Sequence, residues 1–593
     1  MTRAALAWIE SVVPALGWGR RYERADLSGD VLAGIITAIL LVPQSMAYAM
    51  LAGLPPQIGL YMAVLPPVLY GLFGTSRTLS VGPVAVASIM VASIIGGLGL
   101  ADMGQKVVAA AMLAMLTGAV LLAMGLARLG FLVNFLGHPV LSGFISAAAI
   151  LIAVSQLKHL FGVSVPRADN IVAAIYHLVR ALPETNPATL GLGLGALVLL
   201  VIFQRGLGLN VGLVRRQLPA LFSGVPTLLK RGGPLAVVAL GAMIVWHFGL
   251  AEGAGVSIVG RIPEGLPALS LPWPGTDVLG ALVVPAILVA LIAYTESVSV
   301  AKALASRRRQ KIQPNRELIG LGIANLGAGL SSGCPVAGGF GRSVVNFNAG
   351  ANTQLSTFIS SALVALAAIF FTPLFYYLPD AVLAAIVIIA VFTLVDFSTL
   401  RETFRYDRGD TLSLVATFLG VLLLGVELGI VVGIMTSLGL FLWRTSRPHV
   451  AIVGRVPGTE HYRNVRRHRV ETDPAVLAIR LDENLYFANA GQLEDTVLEE
   501  ISDRPAVRHV VLICSAVNLI DASALESLER LIENLRVAGV TLHLAEVKGP
   551  VMDRLERSDL LKLLAPGRVY LSTHEAVQSL GELSKQPDTA YSI

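Results

Sequence analysis

Two ionisable residues stand where the surrounding sequence is almost wholly apolar. Glu296 lies in ALIAYTESVSVAKAL, and Arg342 lies in CPVAGGFGRS, residues 334–343. A charged side chain inside hydrocarbon is costly, so residues of this kind usually face a cavity and do work there. A guanidinium can hold an anion. Glu296 has no cationic residue four positions away on its own helix, and we expect it to take up a proton. Its protonation would offset the charge of a bound anion and so couple the two. The alternative is a structural acid held by neighbours such as Tyr48 or Ser297.

The stretch ahead of Arg342 strengthens the anion reading. Proline lacks the N–H that a first helical turn leaves unpaired, so it starts helices well and breaks them internally. Pro335 precedes Arg342, and a second copy of the core PVA occurs at 83–85. We therefore expect helices that start in mid-membrane after Pro83 and Pro335. Their free N–H groups and positive dipole ends would make an anion site, each end contributing ~0.3–2 kcal/mol. Gly82, Gly338, Gly339 and Gly341 remove side chains that would block approach to the backbone. The alternative is that these residues only kink helices or ease close packing.

The elements that must position these groups are read from composition. Of 593 residues, 55% are hydrophobic and 14% charged, with mean hydropathy +0.72; a soluble chain would be about a quarter charged. Residues 444–593 hold 39 of the 83 charged side chains, so a membrane domain gives way there to one of ordinary composition. Fourteen apolar segments of near-span length are predicted in 31–443, those near 79–100 and 335–350 irregular. Residues 1–30 form an N-terminal segment, 444–474 a linker and first strand, 475–585 a small α/β domain and 586–593 a tail. Glu10 and Pro14 interrupt the first apolar stretch and argue against a signal peptide. Basic residues crowd the loops containing Arg215 and Arg216 and containing Arg307 to Lys311. With fourteen spans, this puts both termini and the α/β domain in the cytoplasm.

A shift of 252 (335 − 83) carries Pro83 to Pro335, and the same shift carries Gln44 to Glu296 and Ser45 to Ser297. One polar landmark and one broken segment thus share an offset, which predicts two seven-span halves, inverted in the membrane because seven is odd. Cys334 and Cys514 fall in different domains and are read as buried small hydrophobes. In the tail, apolar runs at 476–481, 509–514, 541–547 and 569–572 alternate with helical patterns, one capped by Thr573. No Lys/Arg run interleaved with aromatics points to nucleic acid. No P-loop, HExxH motif or Ser/His/Asp set points to an enzyme, and no cofactor or metal is expected. Ion or substrate gradients must then drive transport.

The chain resembles the SulP (sulfate permease) anion transporters in VPQSMAYAMLAGLPPQIGLY (42–61), LSVGPVAVAS (79–88), HPVLSGFISAAAILIAVSQLKHLFG (138–162) and GCPVAGGFGRSVVNFNAGANTQLS (333–356). Its tail resembles a STAS domain in NLIDASALESLERL (518–531). The resemblance implies fourteen segments in two inverted repeats. Spans one to four and eight to eleven would form a core that slides as an elevator past a gate of spans five to seven and twelve to fourteen. It places the anion near Gln44, Tyr48, Val84, Ala85, Gly339, Phe340, Gly341 and Arg342. It implies a homodimer carrying sulfate first and bicarbonate second, with protons or sodium as coupling ion; a dicarboxylate carrier and an anion exchanger are alternatives. A bacterial-type inner membrane is the implied location. Gly341 stands where many relatives carry serine. In the STAS signature Asp521 or Ser523 would cap a helix; in soluble bacterial relatives the serine can be phosphorylated. A cytoplasmic regulator could bind there, and a membrane sensor signalling through STAS is the reading from a different class.

Overall fold

The computed structural model describes residues 13–131, 137–166, 170–205, 225–392 and 394–584. Glu10, Arg215, Arg216 and the tail 586–593 lie outside them. The chain forms two compact units, the first ending at Ser437 and the second beginning at Leu438.

In the first unit, α1 (Pro14–Gly19) precedes the long α2 (Arg24–Leu51). Then come α3 (Pro56–Met62), α4 (Leu65–Phe73), the short strand β1 (Val81–Gly82), α5 (Ala85–Gly97), α6 (Met103–Leu126), α7 (His138–Phe161), α8 (Ile171–Ala181), α9 (Pro187–Arg205), α10 (Val225–Phe248) and α11 (Leu250–Gly253). The second part runs through α12 (Thr276–Arg307), α13 (Pro314–Leu330), β2 (Ala337–Gly338), α14 (Phe340–Asn348), α15 (Leu355–Phe370), α16 (Asp380–Phe392), α17 (Phe397–Tyr406), α18 (Arg408–Leu424) and α19 (Val426–Thr445), which ends in the second unit. Each of the fourteen expected segments holds at least part of one of these helices, and that at 55–74 holds two, α3 and α4. Helices α1, α8 and α17 lie outside the expected spans, and α11 only touches the end of one.

Helix α6 packs along α13, and the backbones touch because glycine permits it. A methyl group on Gly118 would sit 2.7 Å from the Gly322 carbonyl oxygen; small residues at such a seam let two membrane helices approach closely. Helix α13 also packs on α4, α12 on α6, and α15 on α2. Separately, α7 packs on α16 and α18, and α9 on α16. The buried apolar groups bridge these two sets of helices. One cluster joins Tyr70, Met90, Leu113, Tyr294 and Leu318, and another joins Leu41, Met46, Ile152, Leu383 and Val387.

The second unit is built on a six-stranded sheet of order β4-β3-β5-β6-β7-β8. Its strands are β3 (Val450–Arg455), β4 (Tyr462–Asn464), β5 (Val476–Leu481), β6 (His509–Ile513), β7 (Thr541–Ala545) and β8 (Val569–Tyr570). Strands β5 to β8 are parallel, while β3 is antiparallel to both its neighbours. The sheet thus draws two strands from 444–474. Strand side chains alternate in direction: Leu477, Ile479 and Leu481 face one buried cluster, Val476 and Ala478 the other. Helices α20 (Ala490–Ser502), α21 (Ala522–Val537), α22 (Gly549–Leu555), α23 (Leu560–Leu564) and α24 (Thr573–Ser584) complete the unit. Ser572, rather than Thr573, receives the capping bond of α24, from the Glu575 N–H at 3.1 Å; Thr573 turns its hydroxyl to Glu546 at 2.6 Å instead.

Candidate anion site

The two interrupted segments meet. Strand β1 pairs antiparallel with β2, Val81 opposite Gly338 and Gly82 opposite Ala337. Each strand feeds a helix directly: α5 behind its N-cap Val84, and α14 behind its N-cap Gly339. Neither N-cap residue supplies a side-chain acceptor. A helix leaves its first N–H groups without intrahelical partners, and they carry the positive end of the helix dipole.

The pairing corrects the proposed register of the repeat. The ladder's own symmetry relates Val81 to Ala337, a shift of 256 (337 − 81), and Gly82 to Gly338. Pro83 directly precedes the N-cap of α5, but Pro335 stands ahead of β2 and does not start α14. The matching PVA triplets are therefore not structural equivalents. The long helices α2 and α12 start at a shift of 252 (276 − 24) but end at a shift of 256 (307 − 51), that of the ladder, so the four extra residues fall within α12.

Serines and amides lock the two starts together. The Ser80 N–H donates to Ser343 Oγ at 2.9 Å, and the Gly339 N–H donates to the Ser80 carbonyl at 3.2 Å. Ser297 Oγ accepts from the Gly338 N–H at 2.8 Å. Asn325 brackets Val336, donating to its carbonyl at 3.0 Å and accepting from its N–H at 2.9 Å. Gln354 donates to the carbonyls of Ser76 and Leu79 at 2.7 and 3.0 Å. Glu317, fully buried, ties down the preceding turn: it accepts from Tyr70 Oη at 2.6 Å and from the Thr75 N–H at 2.7 Å. Apart from Ser297, sequence reasoning did not single out these polar side chains. Their only signal is a polar side chain in an otherwise apolar span.

Arg342, in the first turn of α14, is 2% exposed, yet neither terminal guanidinium nitrogen has a hydrogen-bond partner. It lies between the two strand ends, close to Gly82 and Gly339. Val84 caps one helix here and Ala85 begins it; both are buried. A Cβ on Gly341 would meet nothing within 4 Å, so the glycine found there leaves open space. From α2, Gln44 donates to Tyr48 Oη at 2.9 Å and keeps its carbonyl oxygen unpartnered. Tyr48 and Glu296 are the titratable groups near Arg342.

Glu296, on α12, is bonded neither to Tyr48 nor to Ser297: Tyr48 accepts from Gln44, and Ser297 is engaged with Gly338 and the Ala293 carbonyl. Its Oε2 is buried without a partner. With Phe340, which is half exposed, it lines a cavity of about 360 Å³ shared with His138, Ser142, Ser299 and Asp396. A buried guanidinium with an uncapped helix end on either side can bind an anion; a carboxyl group on the largely apolar cavity next to it can exchange a proton. No cluster of His, Cys, Asp or Glu among the described residues has the arrangement of a metal site. In the second unit, Asp521 caps α21 through the Ala524 N–H at 2.8 Å, and Ser523 is exposed in the first turn.

The family model of the sulfate permease family matches residues 27–417, and that of the STAS domain residues 467–576. The chain is 35% identical over 583 residues to the chloroplastic sulfate transporter 4.1 of Arabidopsis thaliana, covering 96% of this chain and 83% of that one. It is 32% identical over 580 residues to a probable sulfate transporter of Mycobacterium tuberculosis, covering 98% and 99%. Among solved structures, the murine Solute Carrier 26 family member A9 anion transporter in its inward-facing state matches with a TM-score of 0.88 at 24% identity, over 97% of this chain and 95% of that one. The transmembrane domain of the cyanobacterium bicarbonate transporter BicA matches with a TM-score of 0.57 at 23% identity, over 70% of this chain and 99% of that one. These two likenesses are of fold. The named relatives are transporters, not enzymes.

Proposed function

The chain belongs to the sulfate permease family, and from that premise we propose that it is a secondary active transporter of a small inorganic anion, sulfate first, taken up with protons. One observation carries the reading: the guanidinium of Arg342 is enclosed between two uncapped helix starts with both terminal nitrogens unpartnered. A buried charge without a counter-charge is strongly destabilising. A divalent anion at that place supplies the counter-charge and acceptors for the free N–H groups.

The residues divide the work. Arg342 and the N–H groups ahead of α5 and α14 hold the anion. Gln44 and Tyr48 present polar atoms from α2, and the side-chain-free edge formed by Gly339 and Gly341 admits it to the backbone. Glu296 binds a proton on the neighbouring cavity, which keeps the net charge of the loaded site low. The core of α2 to α6 and α12 to α15, which carries both helix starts, moves as the elevator against a gate of α7, α9, α10, α16, α18 and α19. The transporter occupies residues 31–443 with both termini in the cytoplasm of a bacterial-type inner membrane, works as a homodimer, and offers its STAS domain to a cytoplasmic regulator.

The test is uptake of labelled sulfate by purified protein in liposomes, with an inward proton gradient imposed and then collapsed by an ionophore. Accumulation that follows the gradient is the expected result. Absence of sulfate uptake in protein that carries bicarbonate or a dicarboxylate would overturn sulfate as substrate; accumulation that follows a sodium gradient instead would overturn proton coupling.

A further inference from the structure

A second concentration of positive charge lies apart from Arg342. Arg21, Arg77, Lys311 and Arg316 line one cavity of about 470 Å³, together with Trp18 and Thr75, and among the described residues no carboxylate lines it. The four cations come from three distant stretches: the turn after α1, the turn ahead of β1, and the connection from α12 together with the first turn of α13. Convergence of one sign of charge from separate parts of the chain focuses the potential in a cleft and draws in ions of the opposite sign. Arg21, Arg77 and Lys311 are exposed, so the cavity can be reached from water. Helix α13 starts at its edge behind Gln313, which lines the cavity and provides no side-chain cap. The positive end of that dipole adds to the field.

The walls are fixed. Trp18 packs against Phe358, with ring centroids 6.2 Å apart. Thr75 gives its N–H and hydroxyl to Glu317 at 2.7 and 2.5 Å, and its Oγ1 accepts from the Gln313 N–H at 3.3 Å. Glu317 is thereby turned to Tyr70 and Thr75 and does not line the cavity. A held cavity to which Arg21, Arg77 and Lys311 bring exposed cations suits phosphate oxygens, which guanidinium groups bind in pairs.

We infer that this cavity is a binding site for a polyanion bearing phosphate groups, either the head group of an anionic lipid or a soluble polyphosphate, distinct from the site at Arg342. The two sources are separated with full-length purified protein in detergent, by titrating inorganic pyrophosphate in one arm and dioctanoyl phosphatidic acid in the other, with dioctanoyl phosphatidylcholine as the uncharged control. Saturable binding of either probe, seen as a shift in thermal unfolding and in native mass spectra, is expected; which probe binds more tightly identifies the source. Arg77→Gln with Lys311→Gln should weaken it about tenfold, while Arg466→Gln with Arg467→Gln, exposed in the second unit, should leave it unchanged. Should the first pair not be recovered folded, Arg21→Gln is read in its place, with a weakening of about threefold. No saturable binding of either probe, or binding that ignores the cavity substitutions, would overturn the assignment. The readout needs no transport, so it stands or fails separately from the proposed activity.

Discussion

The guanidinium of Arg342 lies against Gly82, with Nη1 only 3.1 Å from the point where a side chain on Gly82 would begin. Gly82 also adopts φ +153, a conformation L side chains rarely take. Gly82→Ala should therefore displace the arginine and lower anion uptake about tenfold or more at equal protein in the liposomes. Gly341→Ser, one residue before the same arginine, enters open space and should keep uptake within about twofold. Wild-type uptake by Gly82→Ala would remove Arg342 from the binding site.

Glu296→Gln keeps the size of the side chain and removes its exchangeable charge. The variant should still bind anion and exchange it across the membrane, but should no longer accumulate it in response to a proton gradient. The motive is the buried, unpartnered Oε2 on the cavity beside Arg342. Proton dependence equal to that of the parent protein would sink the coupling role.

Asp521 receives two backbone donors, Ala524 N–H at 2.8 Å and Phe487 N–H at 2.9 Å. Loss of such a cap costs about 1–2 kcal/mol. Asp521→Ala should lower hydrogen-exchange protection of the α21 amides in the full-length protein accordingly, whereas Ser523→Ala, at an exposed position, should stay within about 0.5 kcal/mol. A larger effect from Ser523 would reassign the cap.

His543 sits in β7 beside His509, Nε2 to Nδ1 3.2 Å, and its Nδ1 accepts from the Arg568 N–H at 3.1 Å. Burial, then the charges of His509 and Arg568, push its pKa down to about 4. An unfolded histidine titrates near ~6.5, so between these values the unfolded chain binds the proton and the folded one does not. Stability of the sheet unit should fall as pH drops from about 6.5 towards 4 and level off above 7. His543→Gln should flatten that slope, read as exchange protection of β6 and β7 after correction for intrinsic rates. An unchanged slope would place the acid sensitivity elsewhere.

The membrane helices were legible because a span is a long apolar run, and the sheet because its strands read VLAIRL and HVVLI. Helices α8 and α17 were not, since short amphipathic segments between spans carry neither signal. Arg342 and Glu296 stood out by charge in apolar surroundings. What could not be read was pairing. Ser80 finds Ser343, and Gln354 finds Ser76, across more than half the membrane unit; no spacing announces such partners. The repeated PVA triplet misled for the same reason. It compares short strings, whereas the equivalence of Gly82 with Gly338 is fixed by a ladder of backbone bonds.

That ladder has a mechanical consequence. Two helix starts that merely faced each other could part like jaws, loosening their grip each time the protein changed shape. Here the strands leading into them are stitched edge to edge, and the Ser80–Ser343 bond adds a rivet. The anion seat we propose would thus rest on one bonded piece made from both halves of the chain. On that proposal, release comes from opening the walls around it and not from parting the two helix starts.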